Sequence, residues 1–474
     1  MNLCFAGNAE PFGIHNESEY GMSDNPISRR RALSIGGAGL LGVTLPRVLH
    51  AEGTGSRPGR AKSVIFLYQF GGPSHLDTFD PKPDAPAGVR SHFDVIETSA
   101  PGIRICDKLP RMATVMNEVT LARTVYHNMK NHNSAAYYAL TGHAPPLDDI
   151  RLRDSLDLFP AYGSVVDRLA PVSSEMPSFV AFPHVLRDGE ITPGQHASFL
   201  GKSHDPFLIT SDPNDSGFTL PELSLPAGVS ADRLQNRREI QQMINRQSRI
   251  LEYSSTARGL DAYFDKSMAM LNSSRVRDAF NLQAEPAAIR DKYGRTTYGQ
   301  SCLLARRLVE AGVKFINVYF SNNIGGRTTN GGWDTHGFDN TRMYPILRDY
   351  QLPITDHTLP TLILDLKERG LLDETLIVWM GEFGRTPKIN DNISRDHWPQ
   401  CYTVLLAGGG SKRGAVYGTS DKNAAYPDKD PVQLDDLAAT VFALMGIDPQ
   451  SEIRDKLNRP LAVSAGKVVT GLMA

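Results

Sequence analysis

Three polar clusters in the last third of the chain carry residues able to do chemistry. They read Gly331-Gly332-Trp333-Asp334-Thr335-His336-Gly337, Gly381-Glu382-Phe383-Gly384-Arg385-Thr386-Pro387 and Arg395-Asp396-His397-Trp398. Asp334, His336, Glu382, Asp396 and His397 form a mixed oxygen and nitrogen donor set, suited to zinc, manganese or iron more than calcium. A divalent ion held there would acidify a bound water and polarise a phosphoryl or sulfuryl oxygen. Arg385 is placed in sequence to pair bidentately with an oxyanion. An earlier loop, His127 to Asn133, adds two imidazoles, and His132 is open to three roles: nucleophile, metal ligand or general acid. Gln69, Ser74 and Asn133 are candidates to position a substrate by hydrogen bonds.

Plainer roles compete for the same residues. Asp334 and His336 can shape a turn, and Glu382 with Arg385 can form a buried ion pair that fixes a loop. Asp77 and Asp80 read as turn residues, Asp80-Pro81 being a turn-starting dipeptide. Trp379 lies within a strand-like run and reads as core, while Trp333 and Trp398 flank the clusters and could wall a pocket.

The elements that must position these clusters are legible as alternating runs. Val64 to Phe70 is nearly all apolar and ends in Gly71-Gly72-Pro73, as a buried parallel strand entering a loop does. Strands are also predicted over Val119 to Val125, Val313 to Phe320, Thr375 to Met380 and Tyr402 to Ala407. Between them, helical spacing marks Ser301 to Ala311, Leu359 to Arg369 and Leu434 to Met445, stopped by Gly312, Gly370 and Gly446. Strands alternating with helices predict an α/β fold, a mostly parallel sheet with helices on both faces. In such sheets chemistry collects beyond the carboxyl ends of the strands, where the three clusters fall. The stretch from about 183 to 287 breaks the rhythm and is expected to be a mid-chain insertion. Its apolar stripe of Ile240, Met243, Ile244, Ile250 and Leu251 suits core packing.

The amino terminus predicts where the protein works. Ser28-Arg29-Arg30-Arg31-Ala32-Leu33 matches the twin-arginine export pattern, and a mild apolar run follows to Leu45, too short to span a bilayer. Residues 1–51 are read as the signal peptide and 52–474 as the mature domain, about 420 residues. Gly37 to Gly42 spells a dinucleotide fingerprint, but no strand precedes it, which removes a dinucleotide oxidoreductase from consideration. A net charge of −2 with 22% charged residues gives no case for nucleic acid or for an anionic membrane surface. With no C-x-x-C and three cysteines in the mature chain, Cys106, Cys302 and Cys401, neither a thiolate zinc site nor a redox pair is indicated. The expectation is a periplasmic or cell-envelope protein with no stable membrane span, meeting the twin-arginine translocase during export.

The string Phe70-Gly71-Gly72-Pro73-Ser74-His75-Leu76-Asp77-Thr78-Phe79-Asp80, taken with the three late clusters, resembles the bacterial domain-of-unknown-function family 1501. Tyr293-Gly294, Leu304-Ala305-Arg306-Arg307-Leu308 and Gly418-Thr419-Ser420-Asp421 extend the resemblance over nearly all of the mature chain. It implies an alkaline-phosphatase-like core, the fold shared with sulfatases and phosphodiesterases. In sulfatases a Cys/Ser-x-Pro-x-Arg turn leads through a helix to Thr-Gly-Arg. Here His132 to His143 has the same length and reproduces Thr141-Gly142, so the nucleophile position falls on His132, and Ala136 replaces the arginine. Gln69-Phe70-Gly71 stands where the superfamily carries an Asp after its first strand. Asp334-Thr335-His336 resembles a shortened Asp-x-x-x-His pair, Glu382-Phe383 matches an Asp-His pair without its imidazole, and His397 matches the last histidine.

Two functions follow as expectations. One is an exported metal-dependent hydrolase of a sulfate or phosphate ester, carried by a small molecule or a polysaccharide. The other is a non-catalytic binding or assembly protein of the cell envelope that keeps the fold without the nucleophile. Five ligand-type residues favour the first, because metal-type side chains without a metal are costly polar groups to bury. The absence of Cys or Ser at position 132 favours the second.

Overall fold

Strands apolar on both faces need cover on two sides, and that requirement organises this chain. The computed structural model describes residues 60–172, 175–218, 273–321, 331–338 and 342–474, with positions 236, 239, 269 and 270. The expected signal segment lies outside the described residues, as does the apolar stripe of Ile240 to Leu251. Among the described residues nine strands make the main sheet: β1 (Ser63–Tyr68), β2 (Val119–Tyr126), β3 (Phe179–Phe182), β4 (Phe207–Leu208), β5 (Phe315–Tyr319), β6 (Thr375–Met380), β7 (Tyr402–Ala407), β8 (Ala415–Tyr417) and β9 (Val432–Gln433). Their order is β8-β2-β7-β6-β1-β5-β3-β4, with β9 also pairing β2. Every pairing is parallel except those of β7 with β6 and β2. The α/β class with a mostly parallel sheet is therefore the observed one. Phe207–Leu208 falls in the expected insertion yet extends the sheet at its edge, so part of that stretch belongs to the core architecture.

Side chains alternate across each strand, and the two halves feed two cores. Ile65, Leu67, Ile316, Val318, Ile377 and Trp379 pack beneath helices α3 (Thr297–Glu310) and α4 (Leu352–Glu368). Val64, Phe66, Tyr68, Leu376, Val378 and Met380 pack beneath α1 (His132–Thr141), α2 (Tyr162–Leu169) and α5 (Leu434–Leu444). Helix α4, expected from Leu359, begins at Leu352 and holds Pro360 in its interior. Proline lacks the N–H that an inner turn uses, so it imitates a helix start in sequence. Helix α1 stops at Gly142 (φ 71°), where a Cβ would lie 2.3 Å from that of Ala438, so glycine is what lets α1 meet α5. No helix among the described residues is long and apolar enough to cross a membrane.

Candidate metal centre

All the loops that carry the polar clusters leave the same edge of the sheet. His132 opens α1 beyond the carboxyl end of β2, Asp334 and His336 follow β5, and Glu382 follows β6. His397 belongs to a short antiparallel ribbon, Gly384–Arg385 with His397–Trp398, in which Arg385 and His397 are directly opposed. Opposed residues of a ribbon share a face, and both reach the same atom, Oδ1 of Asp334, at 2.7 Å and 2.9 Å.

Around Asp334 three imidazoles converge. His336 Nε2 lies 2.8 Å from Asp334 Oδ1 and 2.9 Å from His397 Nε2. His132 Nε2 lies 3.4 Å from Asp334 Oδ2 and has no hydrogen-bond partner although it is buried. The other nitrogen of each ring is held from behind. His132 Nδ1 meets Glu382 Oε1 at 2.7 Å, His336 Nδ1 meets Asp396 Oδ1 at 2.9 Å, and His397 Nδ1 meets the carbonyl of Lys130 at 2.8 Å. A carbonyl only accepts, so His397 carries its hydrogen on Nδ1, and a carboxylate imposes the same on His336. The Nε2 lone pair of His397 then faces Asp334 Oδ1 and the Nε2 of His336, an arrangement that a shared proton or a metal cation would stabilise. This back-bonding of Nδ1 by carboxylates and carbonyls is how metal-binding histidines are oriented. Donors on a tetrahedral ion with bonds of about 2.0–2.1 Å stand about 3.3 Å apart, close to the 2.8–3.4 Å found here. Among the described residues His132, Asp334 and His397 each offer an atom within 4.8 Å of the others. These three can hold a divalent ion, and His336 Nε2 stands beside them, 2.8 Å from Asp334 Oδ1 and 2.9 Å from His397 Nε2.

The electrostatics agree with that fit. Burial opposes charge on His132, yet Asp334 and Glu382 outweigh it and push the pKa up to about 9. Burial also works against ionised Asp334, but Arg385 and His132 hold its pKa well below the usual carboxylate range. Burial pushes His397 down to about 3, which leaves that ring neutral.

These contacts redistribute the expected roles. His132 stands with Asp334, His336 and His397 as a donor. Glu382 and Asp396, expected as ligands, instead hold the far nitrogens of His132 and His336. Glu382 is fully buried and also accepts from the backbone N–H of Gly71 at 2.8 Å, so the loop after β1 fixes it. Arg385, expected to meet an oxyanion, is fully buried and bonded to the protein through all three of its nitrogens. They go to the carbonyls of Gly71, Gly72 (2.9 Å), Trp333 (3.0 Å) and Arg395 (3.3 Å) and to Asp334. Gly72 (φ 78°) lets the Phe383 ring lie against this loop, since a Cβ there would lie 2.5 Å from that ring.

Three expected substrate contacts point elsewhere. Gln69 bonds Tyr298 and the indole N–H of Trp333 within the core under α3. Ser74 donates to Asp77, and Asn133 donates to the carbonyl of Ile150 at 2.7 Å. Of the flanking tryptophans, Trp333 is buried and Trp398 packs on Tyr426. The rings beside the histidines are phenylalanines. Phe383 lies 4.3 Å from His397 and 5.1 Å from His132 between ring centres, and Phe338 stacks on His336 at 5.6 Å. Phe383 takes the place where the family resemblance loses an imidazole, and it forms an apolar floor. His127, on the loop with His132, is pinned to the carbonyl of Glu382 at 2.7 Å, and burial pushes its pKa down to about 4. Asp77, read as a turn residue, is buried in an ion pair with Arg395 at 2.7 Å. Nothing in its sequence context signals this, because the partner is on a distant loop.

Residues 61–473 match the model of the family described as a protein family of unknown function, DUF1501. No curated protein matches the chain. Among solved structures it is similar to a sulfatase from Pseudoalteromonas sp., at 14% identity and a TM-score of 0.39, over 84% of this chain and 70% of that one. It is similar also to a lipoteichoic acid synthase from Listeria monocytogenes, at 12% identity and a TM-score of 0.39, over 82% of this chain and 73% of the other. A third is a protein of the alkaline phosphatase superfamily from Vibrio parahaemolyticus, at 11% identity and a TM-score of 0.36, over 83% and 68% of the two chains. The chain belongs to the DUF1501 family, which its match over nearly the whole described length shows.

Proposed function

We propose that this protein is an exported, metal-dependent hydrolase of a sulfate or phosphate ester. The observation that supports it most is the convergence of three imidazole Nε2 atoms on Asp334, with two Nδ1 atoms backed by carboxylates and the third by a carbonyl. A divalent zinc, manganese or iron ion held there would supply Lewis acidity, polarising an ester oxygen and lowering the pKa of a water. The chain's own part is to hold that chemistry in place. Asp334, His132 and His397, joined by His336, would hold the ion, and Glu382 and Asp396 keep two of the rings turned with Nε2 inward. Arg385 neutralises Asp334 from behind and fixes its carboxylate. Phe383, fully buried, keeps water away from one side of His132 and His397, which strengthens the electrostatics at the centre.

Among the described residues no Ser, Thr or Cys side chain is hydrogen-bonded to the four ligands. Attack by water, with no covalent enzyme intermediate, fits that arrangement. The same fact favours the second reading, a cell-envelope binding or assembly protein that keeps the metal without turnover. Export by the twin-arginine route, to the periplasm or cell envelope, rests on Ser28 to Leu33. A small-molecule or polysaccharide ester is the proposed substrate.

The test is elemental analysis of protein purified after native export, followed by a panel of aryl sulfate, phosphate monoester and phosphate diester substrates. One equivalent of transition metal, lost in His336→Ala, with turnover lost in parallel, is the expected result. Metal-free but folded protein overturns the metal centre. Metal without turnover on any ester turns the reading to the binding protein. Replacing Arg29 and Arg30 by Lys should trap the precursor in the cytoplasm, and unimpaired export would remove the twin-arginine assignment.

A further inference from the structure

We infer that Asp77 and Arg395 are positioning residues for this centre, a buried ion pair that sets His397 through the adjoining backbone and Asp334 through Arg385. The inference rests on the metal-centre reading and names the part of the fold that keeps its geometry. Both side chains are fully buried, with Arg395 Nε 2.7 Å from Asp77 Oδ2. Replacing a buried ion pair by apolar packing is often neutral or stabilising, so stability alone is a weak reason for one here. Its bonds are directed at the loops of the site. Arg395 donates to the carbonyls of Thr386 (3.1 Å), Pro387 and Val89 (2.9 Å). Asp77 is held for this task by the hydroxyls of Ser74 and Tyr344, and the latter also lies 3.3 Å from Arg395.

The connection to the ligands is short. Arg395 immediately precedes Asp396 and His397, and Asp396 is tied to Thr386 by two bonds, 2.9 Å and 3.0 Å. The carbonyl of Arg395 accepts from Arg385 at 3.3 Å, and Arg385 holds Asp334 at 2.7 Å. Two buried guanidinium groups thus join the loop after β1, the Asp334 loop and both strands of the ribbon. A guanidinium suits this because its five donors form a rigid plane that can bind several carbonyls at once. The molecule contains a matched contrast. Arg306, also buried, pairs with Glu285 (2.9 Å), Glu310 (2.7 Å) and Asp365 (3.0 Å) in the helical layer of α3 and α4, with no bond to a ligand loop among the described residues.

The experiment compares Asp77→Asn and Tyr344→Phe with Asp365→Asn, in the full mature chain. Affinity for Co²⁺ is read by visible absorption after chelator treatment, and Tm is read alongside. Ring signals of ¹⁵N-histidine are recorded in the metal-free state. Asp77→Asn should weaken Co²⁺ binding tenfold to hundredfold, as loss of outer partners of a metal site does, and should shift the His336 and His397 ring signals. Tyr344→Phe, which removes one hydroxyl, should weaken binding a few-fold. Asp365→Asn should lower Tm by a comparable amount, leaving affinity within twofold and the ring signals in place. Unchanged affinity and ring signals in both Asp77→Asn and Tyr344→Phe overturn the inference, as does an equal loss in Asp365→Asn. If Asp77→Asn fails to fold, Tyr344→Phe decides. If the wild type takes up no Co²⁺, the metal reading fails separately, and the ring signals still judge the positioning role.

Discussion

Glu382 separates an outer carboxylate from a direct ligand, and a pair of isosteric substitutions measures the difference. Its Oε1 accepts His132 Nδ1 at 2.7 Å and Gly71 N at 2.8 Å, and an amide oxygen can accept both. Glu382→Gln therefore keeps the geometry and removes the charge. A charge-assisted bond is roughly twice as strong as a neutral one, and a neutral bond contributes about 1 kcal/mol net. The loss that reaches the metal through His132 is thus about 1–1.5 kcal/mol, or about tenfold in affinity. Asp334→Asn removes an anionic ligand and leaves fully buried Arg385 without its counter-charge, which costs about 3–5 kcal/mol of stability. Metal uptake should be abolished in that variant. The assay is titration of chelator-stripped protein with Zn²⁺ against a chromogenic competitor, with denaturant unfolding of each variant. If Glu382→Gln loses metal as completely as Asp334→Asn, a Glu382 oxygen is itself a ligand and the outer placement is wrong. If it binds as tightly as the wild type, the Nδ1 contact does not orient His132.

Other outcomes follow from the same contacts. Arg385→Lys offers a point charge to four carbonyls and Asp334, so unfolding free energy should fall by about 3 kcal/mol; a change under 1 kcal/mol would contradict the multidentate role. Metal binding at pH 7.5 should release close to one proton, because His132, with its pKa raised to about 9, must lose one to become a ligand. Apparent affinity should accordingly fall about tenfold per pH unit from pH 8.5 to 6.5, and calorimetry in buffers of different ionisation heat would expose the absence of release. Gly72→Ala places a Cβ 2.5 Å from Phe383 at φ 78°, so it should destabilise by more than about 2 kcal/mol. An Ala variant as stable as the wild type would mean that this loop yields.

What the sequence determined by itself was the framework. The strands β6 and β7 match their expected limits, Thr375–Met380 and Tyr402–Ala407, because short apolar runs bounded by glycines have few other ways to be buried. Loop placement followed, since clusters beyond parallel strands must share the carboxyl edge. Asp334, His336 and His397 were legible as donors from residue type and position.

Their partners were not, because hydrogen bonding between loops is decided by register and burial rather than by local pattern. Gln69 illustrates it: one position along the chain from Phe70, it turns to the opposite core and bonds Trp333 rather than a substrate. Glu382 and Asp396 carry the charge of ligands, but the structure puts an imidazole between each of them and the centre. His132 joins the donors only because α1 starts against the loop after β6, a contact between residues 250 positions apart. Asp77 and Arg395, 318 positions apart, find each other for the same reason. Which nitrogen faces inward, and which charge stands behind it, is a property of the assembled loops. It exists only once the sheet has brought them to one edge.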